Sequence, residues 1–189
     1  VVTTEFRKQG HEAYSCDLID CSGNHPEWHI KNDAVKIAYD LSYGWDVMIG
    51  FPPCTYSSNS GVQHLWKDIK RWDMMIDGAL FFKKLLDAPI SVKVIENPIM
   101  HKYALKIIGK KYSQIIQPYD HGHAESKATC LWVEGLPLLQ KSNDVKEEWK
   151  RLPKNKAQRL FYLPPGKERA KERSKTYIGI AKAMANQWG

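Results

Sequence analysis

Trp45-Asp-Val-Met-Ile-Gly-Phe-Pro-Pro-Cys-Thr-Tyr-Ser-Ser-Asn-Ser-Gly61 is the stretch from which the rest of the chain is read. Val47-Met48-Ile49 predicts a short buried strand, which Gly50 to Pro53 stop abruptly. Two consecutive prolines fix the backbone and offer no N–H groups, so the segment after them is held in one conformation. That segment opens with Cys54 and runs through small and polar residues to Gly61. A thiol on a stiff loop at the C-terminal end of a strand stands where an open α/β sheet places its chemistry. A buried cysteine following a structural turn reads the same locally, so the flanking segments have to separate the two.

Upstream, Val1 to Gln9 reads as the end of a helix closed by Gly10, and His11 to Cys16 alternates into a strand that ends at Asp17. An acid at such a strand tip accepts hydrogen bonds from ribose hydroxyls in dinucleotide-type folds, and in other settings is a turn residue. Ile30 to Asp33 reads as a strand end plus turn, with Asp33 suited either to an adenine amine or to capping a helix. Downstream, apolar residues at helical spacing predict a helix over Gln63 to Leu86, ended by Pro89. Ile90 to Ile95 predicts a strand that finishes at Glu96-Asn97-Pro98. A helix over His101 to Ile108 stops at Gly109, and strands follow over Tyr112 to Gln117 and Ala128 to Val133. Strand–helix alternation with acids or cysteine at strand ends predicts one α/β domain with a mostly parallel sheet. The expected division is a core over 1–133, a basic, proline-containing connection over 134–175 with one short helix near Asp144 to Arg151, and a C-terminal helix over 176–189.

The 189 residues suffice for one such domain with a full core, and 43% hydrophobic with 26% charged residues is a globular composition. No apolar run approaches a membrane span and no signal-peptide pattern opens the chain, so no membrane partner is expected. Cys16, Cys21, Cys54 and Cys130 lack a disulfide-framework spacing, which favours a reducing, intracellular, cytoplasmic setting. The net charge of +7 is concentrated: Lys146 to Lys175 carries eleven Lys/Arg against four Glu, and the remainder is balanced. A neutral body with one basic segment suggests a polyanion partner. Cys16, Cys21, His25 and His29 have the ligand types of a zinc site. The loop between them is short and Cys16 lies in a strand beside Asp17, so no metal is assigned.

Phe51-Pro-Pro-Cys54 at one strand end and Glu96-Asn97-Pro98 at another, in that order, resemble the DNA (cytosine-5) methyltransferase family, over Val1 to about Trp132. The resemblance implies a Rossmann-like class I S-adenosylmethionine-dependent methyltransferase domain, here N-terminally truncated. Carbon 5 of cytosine is a poor nucleophile, so a thiolate adds to carbon 6 and converts the ring to an enamine. The resemblance makes Cys54 that nucleophile, Glu96 the acid near ring N3, and Lys127 a point charge in place of the family's arginine. The chemistry requires a partly ionised thiol and a partly protonated Glu96. S-adenosylmethionine is the implied cofactor, with Asp17 on its ribose, Leu18 and Asp33 at its adenine, and Phe51 and Pro52 beside its methionine part. DNA is the implied partner, either duplex with a flipped cytosine or single-stranded, with Ser57, Asn59 and Gly61 along the nucleotide's path. Arg169 and Arg173 in the basic segment are assigned to the same partner.

The chain departs from the family in four places. The opening strand and glycine loop that cradle the cofactor fall before Val1, where no initiator Met is present. The Gln-x-Arg-x-Arg strand is replaced by Ser126-Lys-Ala-Thr129. About forty residues separate Val133 from Thr176, too few for the usual target-recognition domain. The closing Gly-Asn-Ser segment is matched only by Thr176-Tyr-Ile-Gly179. An amino-methyltransferase needs Asp, Asn or Ser before its Pro-Pro, whereas Phe51 stands here. Two further readings are a non-catalytic nucleic-acid-binding protein on this fold and a methyltransferase of free pyrimidine nucleotides. Short members of the family are often virus-encoded, which is the origin the resemblance suggests.

Overall fold

A computed structural model describes residues 1–189 as an α/β arrangement containing two separate sheets. Helix α1 (Val2–Lys8) turns at Gly10, whose φ of 91° lies in the left-handed region open to glycine. Strands β1 (Ser15–Asp17) and β2 (His29–Lys31) pair in parallel, with Asp17 opposite Lys31. The carboxylate of Asp33 accepts from the Val35 amide at 2.8 Å and starts α2 (Ala34–Tyr39), so the capping alternative for this residue is realised.

The second sheet has the order β3-β4-β6-β5, formed by β3 (Val47–Gly50), β4 (Val92–Pro98), β6 (Thr129–Glu134) and β5 (Gln114–Ile116). Between β3 and β4 lies α3 (Ile69–Leu86), and α4 (Lys102–Ile108) follows β4, ending at Gly109 with φ 74°. The two-residue period of the central strands sorts their side chains onto two cores. Ile95, Cys130 and Trp132 pack with Met75, Ala79 and Phe82 of α3 and Ala104 of α4. Val94 and Leu131 pack on the other face with Phe6 of α1 and Ile180, Met184 and Trp188 of α9 (Ile178–Trp188). The sheet is therefore covered on both sides, as its near-continuous apolar strands require.

Several expectations are corrected. The main sheet is mixed: β3 and β4 are parallel, whereas β6 is antiparallel to both β4 and β5. Strand β3 is half-buried, because only β4 pairs with it. Helix α3 begins at Ile69, where Asp68 accepts from the Lys70 amide at 3.0 Å, and Asn59–Lys67 is a 3₁₀ segment. Its apolar stripe is wider than the face that is covered, so Ile69 is 76% exposed. Strand β4 continues through Pro98, placing Glu96 inside the strand. The connection after β6 is largely helical: α5 (Lys146–Arg151) stands where a helix is expected, followed by α6 (Lys154–Ala157), α7 (Arg159–Tyr162) and α8 (Lys167–Ser174).

No helix is long and apolar enough to cross a membrane. No group of three His, Cys, Asp or Glu side chains converges on a metal position. The Cys16 thiol instead donates to the Asn32 carbonyl, and His25 stacks on Trp28 at 3.6 Å. The Arg7 guanidinium also lies over the Trp28 ring, at 4.8 Å from its centroid, so this ring is engaged within the protein.

Candidate active site at the carboxyl ends of β3 and β4

Gly50 stands opposite Ile95 in the parallel register, and a Cβ at Gly50 would come within 2.9 Å of the Ile95 side chain. The glycine leaves room for the Ile95 side chain, and continuing the same register brings Pro52 beside Asn97. Asn97 is completely buried, donating from Nδ2 to the Pro52 carbonyl at 3.0 Å and accepting at Oδ1 from the Ser57 hydroxyl at 3.4 Å. A buried carbonyl left without a partner costs about 1–3 kcal/mol, so the Asn97 amide holds the proline turn in register.

The rest of the loop is pinned along the chain after β4. The Asn59 amide donates to the Ile99 carbonyl at 2.7 Å, and the His101 amide to the Ser57 carbonyl at 3.1 Å. His101 accepts the Ala104 amide at Nδ1, so Nε2 carries the proton that it donates to the Tyr56 carbonyl at 2.9 Å. Cys54, half-buried, sits inside this clasp with its carbonyl accepting from the Ser58 amide.

Glu96 points to the opposite face of β4 from Asn97, towards α9. A small cavity of about 10 Å³ lies over it, lined by Phe51, Lys127, Thr129, Tyr177 and Met184 among others. This is room for about one water molecule. Burial pushes the Glu96 carboxyl above its usual range, against the pull of Lys127 and the Thr129 hydroxyl. Burial also raises the Cys54 thiol, and the charge of Glu96 adds to it, while Arg173 and Lys127 pull it back. Lys127 is lowered by burial, against Glu96 and Cys54. The resting thiol is thus not the depressed one the chemistry asks for, whereas Glu96 does hold its proton more firmly than an exposed glutamate.

The basic segment is fastened beside this site. The Lys127 ammonium donates to the Lys175 carbonyl at 3.0 Å, and the Ser126 amide to the Ala157 carbonyl at 2.9 Å. Arg159 donates from Nε to both oxygens of Glu125 at 3.0 and 3.2 Å, and the Tyr177 hydroxyl donates to the same carboxylate at 2.8 Å. Burial and that hydrogen bond raise the Tyr177 phenol well above its ordinary value. The opposite end of Arg159 reaches Glu172 at 3.2 Å. Arg173, one residue on, makes no ion pair and is close enough for its charge to act on Cys54 and Lys127. Arg169 is partly buried, with its Nε lacking a partner.

The residues assigned to the cofactor lie on two sheets. Asp17 and Leu18 leave the end of β1, and Leu18 is 69% exposed. Phe51 leaves β3 and is 43% exposed, while Pro52 is buried behind it. The starts of β1 and β3 are linked by Tyr14 and Trp45, whose rings meet edge-on at 6.1 Å, although no backbone hydrogen bonds join the strands. Of the residues assigned to the nucleotide's path, Ser57 is buried with its hydroxyl on Asn97, Asn59 is exposed, and Gly61 lies against the Thr55 carbonyl. The roles of Thr129, Tyr177 and Asn97 are new. Strand alternation is the signal for the first, since Thr129 and Leu131 share a face of β6 just as Val94 and Glu96 share one of β4. No family model matches this chain, and no curated protein is significantly similar to it.

Proposed function

We propose that this protein methylates carbon 5 of cytosine in DNA through a covalent Cys54 adduct. The observation that carries the reading is the buried Asn97 clasp, which brings the Pro-Pro-Cys turn and the Glu96 segment to one site with Lys127 and Arg173 beside them. In this reading the Cys54 sulfur bonds to carbon 6 of the pyrimidine, while Glu96 gives its proton to ring N3 and Lys127 faces the ring oxygen. Arg173 and Lys127 supply the positive charge that favours the thiolate once a base excludes water. S-adenosylmethionine, when bound, supplies the methyl group. Loss of the carbon 5 proton to a base then expels the Cys54 thiolate from carbon 6, N3 returns its proton to the Glu96 carboxylate, and the aromatic ring is restored.

The residues present fit an adenosyl group at the strand ends. Leu18 and Phe51 are large apolar side chains open to solvent there, and the exposed Asp17 carboxylate receives only a 3.4 Å contact from the Ile19 amide. The strand order also supports the reading. In this reading the parallel pairs β2-β1 and β3-β4 would take the places of strands 3-2 and 4-5 in the doubly wound order 3-2-1-4-5. Neither β1 nor β3 has a strand partner on its other edge.

The test is covalent trapping with S-adenosylmethionine and DNA containing 5-fluorocytosine, where carbon 5 cannot lose a proton. The wild-type chain should form an adduct that survives denaturing electrophoresis, and Cys54→Ala should form none. Absence of an adduct from wild-type protein shown to bind the same DNA would overturn catalysis. It would support instead a nucleic-acid-binding module, a reading favoured by the small cavity over Glu96 and the raised thiol.

A further inference from the structure

The α7 helix presents Phe161, 68% exposed, and Tyr162, 52% exposed, packed edge-to-face at 5.3 Å. The preceding residue, Leu160, is buried and anchors the turn, so the two rings are displayed from a fixed base. They are flanked in the chain by Lys154, Lys156, Lys167 and Lys171, all exposed and none in an ion pair. Adjacent cations that do form ion pairs, Arg159 and Lys175, are spent on holding α7 and α8 against Glu125 and Glu172. Of the two acids on α8, Glu172 is used internally and only the exposed Glu168 stands among the four lysines, leaving an aromatic pair in a surplus of unpaired positive charge.

We infer that Phe161 and Tyr162 form a stacking platform for unpaired bases of single-stranded DNA, beside the Cys54 site. The substrate class rests on the proposed reading of that site as a cytosine methyltransferase. Protein-binding surfaces concentrate aromatic residues but are depleted of lysine at their centres. Single-strand sites combine base-stacking aromatic rings with cations that follow the phosphates. The arrangement on α6–α8 is the second kind. It lies next to the chemistry because Ala157 and Arg159 are hydrogen-bonded to Ser126 and Glu125, on the loop that carries Lys127. A nucleotide neighbouring the reacting cytosine is thereby held on the rings while the cytosine enters the site. This gives so short a connection a means of gripping DNA without a separate recognition domain.

The experiment is fluorescence anisotropy with a labelled, cytosine-containing single-stranded oligonucleotide and its duplex, across a salt series. Wild-type protein should prefer the single strand. Phe161→Ala/Tyr162→Ala should weaken that binding by roughly five- to a hundredfold per stacked base, with an unchanged salt slope. Lys154→Gln/Lys156→Gln/Lys167→Gln should flatten the slope instead. Phe161→Leu/Tyr162→Leu keeps apolar area but removes the π face, so it should bind as weakly as the alanine pair. Wild-type affinity in either aromatic pair variant, with thermal unfolding unchanged, overturns the platform, as does a wild-type preference for duplex. Anisotropy reads binding in the absence of S-adenosylmethionine and of 5-fluorocytosine, so failure of trapping and failure of stacking are read separately.

Discussion

The Cys54 end and the Asp17 end of this molecule are built in opposite ways. Around Cys54, buried polar groups meet each other: Asn97 holds Pro52 and Ser57, and His101 holds Tyr56. Around Asp17, a three-residue strand pairs with another of equal length, and the side chains at its tip project into solvent. A buried network tolerates few arrangements, because each unmatched donor or acceptor is costly, whereas an exposed tip is satisfied by water in many. The difference teaches that the turn carrying Cys54 is positioned beside the Glu96 segment by folding itself, whereas Asp17 and Leu18 are left open to solvent.

The sharpest way to break that contrast is Asn97→Ala. It strands the Pro52 carbonyl in a buried position and should cost about 3 kcal/mol of stability, read from chemical denaturation. It should also reduce the trapping rate at temperatures where the variant remains folded. An effect under about 0.5 kcal/mol would mean that the clasp holds nothing in place. Next in size is the pH response of Glu96. Its carboxyl is raised in the folded protein, so the native state keeps a proton that the unfolded chain has lost. Stability from this group is therefore full below the ordinary carboxylate range and declines as pH rises through the raised folded value. Glu96→Gln should remove that decline from a denaturation series against pH and should also remove trapping. Asp68→Ala should cost about 1 kcal/mol through loss of the α3 cap, a local effect that leaves trapping intact. Asp17→Ala should shift the unfolding midpoint least, within about 0.5 kcal/mol, while weakening S-adenosylmethionine binding measured by calorimetry. Equal stability losses at Asp17 and Asn97 would erase the contrast.

Much of the element order was legible because strong local signals stand at the right places. Gly10 and Gly109 close helices, Asp33 opens one, and Pro89 separates α3 from β4. The start of α3 was misplaced because Gln63 to Ile69 shares the apolar spacing of the true helix, and a cap at Asp68 outweighs periodicity. The helical character of Lys154 to Ser174 was hidden by its prolines and charges. Its order depends on Arg159, Glu125 and Tyr177, partners that lie far apart in the chain. The reach of Arg173 towards Cys54 was equally invisible, since it follows from how α8 is clamped.

By itself the sequence determined which groups are available: a thiol behind two prolines, an acid with an asparagine behind it, and a block of unneutralised charge. Those properties are written in residue type and spacing. The tertiary structure decided that β1 and β2 form a sheet separate from the other four strands, that β6 runs antiparallel, and that the basic block is fastened to Lys127 with the charge of Arg173 acting on Cys54. Each of these depends on hydrogen bonds between segments distant in the chain. A local pattern of apolar and polar residues does not encode which distant partner will satisfy a buried polar group, and here that choice arranged the site.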